Sequence, residues 1–231
     1  MSDPVRPPRP WLDPEVLKAL DPMLEMLADD PASLSSVTAP ARAREVHLID
    51  SLSGLVAEEV NRAGRIIDIG SGAGFPGIPL ALARPSATVD LLDSVGRKVE
   101  FINDVIARLE IGNARAIKAR SEEWAAGAGS EAYDLATARA VAPLAILAEF
   151  ASPMLDEGGS LVAWKGEREP ESESTVTALG PELALEIDRV IPVRPFEGSR
   201  VRHLYVLRKT GPTPARLPRR PGMARKRPLA L

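Results

Sequence analysis

The chain of 231 residues has no cysteine. That excludes disulfides, thiolate metal sites and a cysteine nucleophile, and it agrees with a cytoplasmic protein. Histidine is scarce: only His47 and His203 occur, so a histidine-rich metal site is not expected, and no metal is anticipated. Aromatic residues make up 4%, and the three tryptophans are read as packing residues rather than base-stacking ones. No run of eighteen apolar residues occurs, which excludes a membrane-spanning helix. The first residues, "MSDPVRPPRPW", lack the apolar stretch of a secretory signal, and residues 1–10 are expected to be mobile. Acidic residues are missing from the C-terminal end. After Glu197 there are ten Arg or Lys and no Asp or Glu, so the rest holds 19 basic against 32 acidic residues, in a chain of net charge −3. A basic end on an acidic body points to a polyanionic partner for that end.

What is present is an apolar fraction of 45%, enough for the core of one large domain or of one domain with an extension. "DPEVLKALDPMLEML", Asp13 to Leu27, has helical apolar spacing behind a capping Asp13, and Pro22 is expected to break it into two pieces. "REVHLIDSLSGLVAEEV", Arg44 to Val60, reads as a second helix. Then strands and helices alternate. "RIIDI", "ATVDLLD", "ARAIKA", "YDLATA" and "GSLVAWKG" read as strands; "GRKVEFINDVIARLEI" and "APLAILAEFASPML" read as helices. An acidic helical segment, Glu167 to Leu185, precedes "EIDRVIPV" and "RHLYVLRK", expected as an antiparallel pair. This order predicts an α/β fold with a mostly parallel sheet and helices on both faces. "GPTPARLPRRPGMARKRPLAL" is expected to hold little regular structure.

"DIGSGAGFPGIPLA", Asp68 to Ala81, places four glycines directly behind the first strand. Glycines there let backbone approach a ligand outside the carboxyl ends of the strands. Gly72, Gly74 and Gly77 satisfy G-x-G-x-x-G, and Asp93 ends the second strand, where an acid can hold ribose hydroxyls. The motif alone fits a dinucleotide or S-adenosylmethionine. Asp68 favours the latter, because a carboxylate two residues before the loop repels a pyrophosphate and suits a cationic ligand. Pro76 removes an N–H where a dinucleotide fold offers donors to phosphate.

"DIGSGAGFPGIPLALARP", with "LLDSVGRKVEFI", "ARSEEW", "ATARAVAPL", "AWKG" and "RHLYVLRK" in this order, closely resembles the GidB-like family, the bacterial methyltransferases acting on guanine N7 of small-subunit ribosomal RNA. The resemblance spans roughly residues 30 to 228 and includes the tail. It implies a class I (Rossmann-like) methyltransferase fold with a mostly parallel seven-stranded sheet and an N-terminal helical extension. The expected division is 1–61 for the extension, 62–209 for the S-adenosylmethionine-binding domain and 210–231 for the basic tail. Asp68, Gly70, Gly72, Gly74, Phe75, Asp93, Ser121, Glu122 and Arg139 are the implied cofactor contacts, and Arg139 the candidate catalytic residue, holding either the cofactor carboxylate or the guanine. "HLIDSL", His47 to Leu52, matches a helical family segment; His47 and Asp50 one turn apart read as a helix-packing pair or an N-terminal scaffold contact. Two departures concern the RNA side: "SLSSVT" stands where an Asn-Leu-Thr segment is common, and Val46 where a basic residue is common.

Guanine N7 has a free in-plane lone pair and loses no proton on methylation, so the lack of a His or Cys in the motifs agrees with the implied reaction. The expected partner is small-subunit ribosomal RNA or the ribosomal particle, met by a monomer. Lys165 and the tail residues Arg216, Arg219, Arg220, Arg225, Lys226 and Arg227 are the candidate RNA contacts, in a tail expected to be dispensable for cofactor binding. A nicotinamide-dependent oxidoreductase and a non-catalytic RNA-binding protein of the same fold are the alternatives.

Overall fold

The computed structural model describes residues 11–30, 34–37 and 39–229; the expected mobility of residues 1–10 lies outside them. Seven strands form one sheet of order β3-β2-β1-β4-β5-β7-β6. They are β1 Arg65–Ile69, β2 Thr88–Asp93, β3 Ala114–Lys118, β4 Tyr133–Arg139, β5 Leu155–Lys165, β6 Leu185–Val193 and β7 Arg202–Lys209. β1 to β5 run parallel and β6 and β7 form an antiparallel pair, as the sequence predicts, and β7 is also antiparallel to β5. The central strands are almost continuously buried because helices cover both faces. Strand alternation divides the core in two. Ile66, Leu91, Leu135 and Val162 point to one face, against the helices Pro14–Asp29 and Gly96–Arg108. Ile67, Leu92, Ala136 and Leu161 point to the other, against Leu144–Ala151 and Pro170–Ala178.

The N-terminal region differs from expectation in two places. Pro14–Asp29 is one helix, capped by the Asp13 side chain, with Pro22 inside it. An interior proline removes one helical hydrogen bond. Here the buried stripe of Leu17, Leu20, Met23 and Leu27 holds both halves in line, since packing rather than propensity sustains most helices. The second helix begins earlier, as Pro40–Ala43, passes through a π-helical stretch, Arg44–Ile49, and returns to α over Asp50–Leu52. A 3₁₀ turn, Ser53–Val56, ends it, and extended Ala57 separates it from Glu58–Arg62. In the wide stretch Asp50 N–H donates to Glu45 O, one residue further back than in an α-helix.

Other boundaries shift modestly. Gly96–Arg108 stops at left-handed Glu110, before Ile111. Leu144–Ala151 gives way to a 3₁₀ turn at Ser152–Met154, and β5 begins at once at Leu155. The acidic segment is two helices, Pro170–Ala178 and Gly180–Leu183. The tail, expected to hold little regular structure, contains a short helix, Met223–Lys226, and buries Leu217 and Ala224 in the second half of the core.

The interrupted helix meets the sheet at Trp164 of β5, whose indole N–H donates to Asp50 O at 3.0 Å. Gly54 lies over the same indole, and a Cβ at that position would overlap the ring. Gly54→Ala should therefore push Trp164 off the helix, an overpacking cost of about 1–3 kcal/mol. A urea midpoint equal to that of the parent chain would contradict this contact.

Candidate active site

The strand order reverses between β1 and β4, which opens a crevice outside their carboxyl ends. The glycine loop enters it from β1. Gly70 and Gly72 take φ of +68° and +61°, where a side chain is strained. The N–H groups of Gly70 and Ser71 donate to Leu92 O at 2.8 and 3.0 Å, tying the loop to β2.

Asp68 does not reach the crevice, contrary to expectation. It is fully buried beneath the loop. Its carboxylate accepts Gly77 N–H at 3.0 Å and the Thr137 hydroxyl at 2.9 Å, so it joins the end of β1 to the following helix, Gly77–Ala83, and to β4. Burial pushes its pKa up to about 6 against the opposing effect of these hydrogen bonds. Its charge is enclosed by the chain and does not choose between a pyrophosphate and a sulfonium. Gly74 also lines neither cavity described below; a Cβ there would strike Ile78 and crowd Met23 of the first helix.

Two cavities meet at Gly70, Lys98 and Ala140. The first, of about 350 Å³, is lined by Asp93, Val95, Ser121, Glu122, Phe150 and Gly222, among others. Asp93 accepts Gly72 N–H at 3.0 Å through one oxygen and Val95 N–H at 2.9 Å through the other. A carboxylate has about four acceptor sites, so it retains capacity for hydroxyl donors. Glu122 accepts Gly222 N–H at 2.8 Å, bringing the tail to the edge of this cavity.

The second cavity, of about 640 Å³, has Phe75, His47, Asp50, Arg139, Lys165 and Glu169 in its walls. Arg139 Nη1 donates to Val46 O at 2.7 Å and to Asp50 at 3.0 Å, and the guanidinium lies 5.3 Å from the Phe75 ring centre. Val46 belongs to the π-helical stretch. Nη2 and Nε of Arg139 have no partner among the described residues and form an edge able to take a carboxylate. His47 stacks on Phe75 at 4.8 Å and shares a hydrogen bond of 2.8 Å with the Ser35 hydroxyl. His47 and Asp50 are thus not a mutual pair: each serves a separate element of the same wall.

Several cations expected to face RNA are engaged by the protein. Lys165 donates to Ala142 O at 2.5 Å and pairs with Glu169 at 3.0 Å, inside the second cavity. Arg219 makes a two-pronged pair with buried Glu149, both contacts 2.6 Å, and Arg216 pairs with Glu182. Arg225 donates to Val141 O at 3.2 Å but remains exposed, as do Arg220, Lys226 and Arg227. Arg202 is a functional candidate that sequence reasoning did not single out, and Asp50 is one that it read only as a packing residue. Arg202 Nε stands 3.6 Å from Asp50 Oδ1, and both atoms are buried without a hydrogen bond. "HLIDSL" was the available signal for Asp50; none marks Arg202, which needs the β7 register to bring it here.

Burial, and then the positive charge of Arg139, lowers the His47 pKa from 6.5 to about 4. A depressed histidine is charged in the unfolded chain before the folded one, so His47 costs stability as pH falls from about 6.5 to about 4. NMR titration should show a neutral ring at pH 6, assigned by comparison with His47→Gln, since only one other histidine exists. A midpoint near 6.5 would contradict the enclosed position.

The sequence profile described as rRNA small subunit methyltransferase G, GidB, matches residues 18–180. A ribosomal RNA small subunit methyltransferase G of Pelotomaculum thermopropionicum is 39% identical over 199 residues, covering 85% of this chain and 83% of that one. A protein of the same name from Gloeobacter violaceus is 40% identical over 203 residues, covering 85% and 79%. Among solved structures, a SAM-dependent methyltransferase from Aquifex aeolicus superposes with a TM-score of 0.55 at 17% identity, over 86% of this chain and all of that one; at that identity it shows the fold, a class I methyltransferase sheet. The profile match over most of the chain and two relatives near 40% identity agree with the loop, the crevice and the strand order: this chain belongs to the rRNA small subunit methyltransferase G (GidB) family.

Proposed function

We propose that this protein transfers a methyl group from S-adenosylmethionine to N7 of a guanine in small-subunit (16S) ribosomal RNA. The observation that carries this reading is the pair of joined cavities, with Asp93 in one and the unpaired edge of Arg139 in the other. The residues fit such a cofactor. Asp93 accepts hydroxyl donors of a ribose, with Ser121 and Glu122 in the same wall. Gly70 and Gly72 bring main chain to the boundary between the cavities. Arg139, held flat by Val46 O and Asp50, presents two donors to an amino-acid carboxylate. When bound, S-adenosylmethionine supplies a methyl group on a positively charged sulfur.

The chain's residues position rather than exchange protons. N7 needs no deprotonation, and the titratable groups of the second cavity are committed elsewhere: Asp50 to Arg139, Glu169 to Lys165, and His47, with its lowered pKa, to Ser35. Rate then depends on holding N7 in line with the methyl group inside a fixed electrostatic environment. In this reading residues 1–61 are an extension whose Ser35, Val46, His47 and Asp50 line the substrate cavity, 62–209 form the cofactor-binding domain and 210–231 are a basic tail that meets RNA. The protein acts as a cytoplasmic monomer that uses no metal. Among the described residues no helix is long and apolar enough to cross a membrane.

Incubation with labelled S-adenosylmethionine and unmodified small subunits, followed by mapping of the product, tests the reaction. Label should appear at one guanine N7, with a pH–rate profile lacking an ascending limb from a base near neutrality. Label on an exocyclic amine or a ribose hydroxyl, or none in RNA, would contradict it.

A further inference from the structure

The tail lies where its composition does not place it. Four acidic side chains of the body hold it in succession. Glu131 accepts Thr213 N–H at 3.0 Å and its hydroxyl at 2.7 Å, beside the buried ammonium of Lys209. Glu182 pairs with Arg216. Glu149, only 4% exposed, takes both prongs of Arg219. Glu122 accepts Gly222 N–H from inside the first cavity. Leu217 is buried between the second and third of these points, and Ala224 just past the last. Gly222 and Arg225 then form part of the wall of the cavity that Asp93 and Ser94 also line. A segment held only for solubility would not bury two apolar side chains and a bidentate ion pair.

The same segment has a second face. Arg220, Lys226 and Arg227 are exposed, and no ion pair engages their side chains among the described residues. Lys226 ends the short helix Met223–Lys226 and Arg220 and Arg227 lie on either side of it, while Gly222 and Arg225 line the cavity. We propose that residues 211–229 are a two-faced strap: its inner face completes the cofactor cavity, and its outer face binds RNA phosphates, so each ligand raises the affinity of the other. Arg219 is the positioning residue, acting through Glu149 and the backbone of Gly222. Both ligands favour one seated strap, and linkage makes the effect reciprocal. The inference rests on the function proposed above.

S-adenosylhomocysteine binding, followed by calorimetry, tests it. The full chain should bind. Removal of residues 211–231 should raise Kd by about tenfold or more, a change of about 1.4 kcal/mol at least. If the truncated chain does not fold, the paired substitution Arg219→Gln with Glu149→Gln replaces the ion pair by neutral groups and should raise Kd in the same direction. In the unaltered chain, S-adenosylhomocysteine should slow tryptic cleavage after Arg225 and Lys226. A small-subunit RNA fragment should tighten S-adenosylhomocysteine binding by about fivefold or more, and the combined R220A, K226A and R227A chain should lose that tightening. Equal affinity with and without the strap, or no protection from trypsin, overturns the cavity-wall role while leaving the methyltransferase reading intact. Unchanged cofactor affinity on adding RNA overturns the coupling. No binding by the full chain overturns both readings.

Discussion

A carboxylate that lines neither cavity organises this site. Asp68 has no exposed surface, and two donors from separate elements converge on it: the first N–H of the helix Gly77–Ala83 and the hydroxyl of Thr137 on β4. Burying a charge is costly unless hydrogen bonds compensate. Its raised pKa, about 6, shows the cost persisting despite the bonds. In return the ends of the glycine loop are held between two adjacent strands. The left-handed turns at Gly70 and Gly72 then place backbone between the cavities, and Gly72 N–H reaches Asp93.

A second tie crosses from the sheet to the N-terminal helices. The π-helical stretch Arg44–Ile49 brings Val46 O and Asp50 to one side of Arg139, at the end of β4. Trp164 donates to Asp50 O from β5. The extension is therefore a wall of the second cavity, packed into the same core as β1 and β2 through Leu20, Met23, Leu48 and Leu52. This gives the guanidinium of Arg139 a fixed plane and leaves one edge for a ligand.

The local parts of this design are legible in the sequence. β1, the glycine loop, β2 and its terminal acid lie within about thirty residues, where period and turn chemistry act directly. The antiparallel pair at the end was also readable from its two alternating apolar runs. What composition obscures are choices made by distant partners. Pro22 reads as a helix breaker until the buried stripe around it is seen. Asp68 reads as a ligand contact because loop spacing carries no information about Thr137, 69 residues away. Arg216 and Arg219 read as RNA cations because charge counting does not show Glu182 and Glu149 beneath them. Asp50 and Arg202 come together only through tertiary packing.

The central claim is that Asp68 builds the cofactor site by holding the loop. Urea unfolding and S-adenosylhomocysteine binding of Asp68→Ala, measured together, test it most directly. The substitution strips acceptors from Gly77 N–H and the Thr137 hydroxyl, each costing about 1–3 kcal/mol when left buried and unpaired. The account predicts a stability loss of about 2–6 kcal/mol, with cofactor affinity falling in the same variant although the side chain lines neither cavity. Stability and affinity equal to those of the parent chain would contradict it.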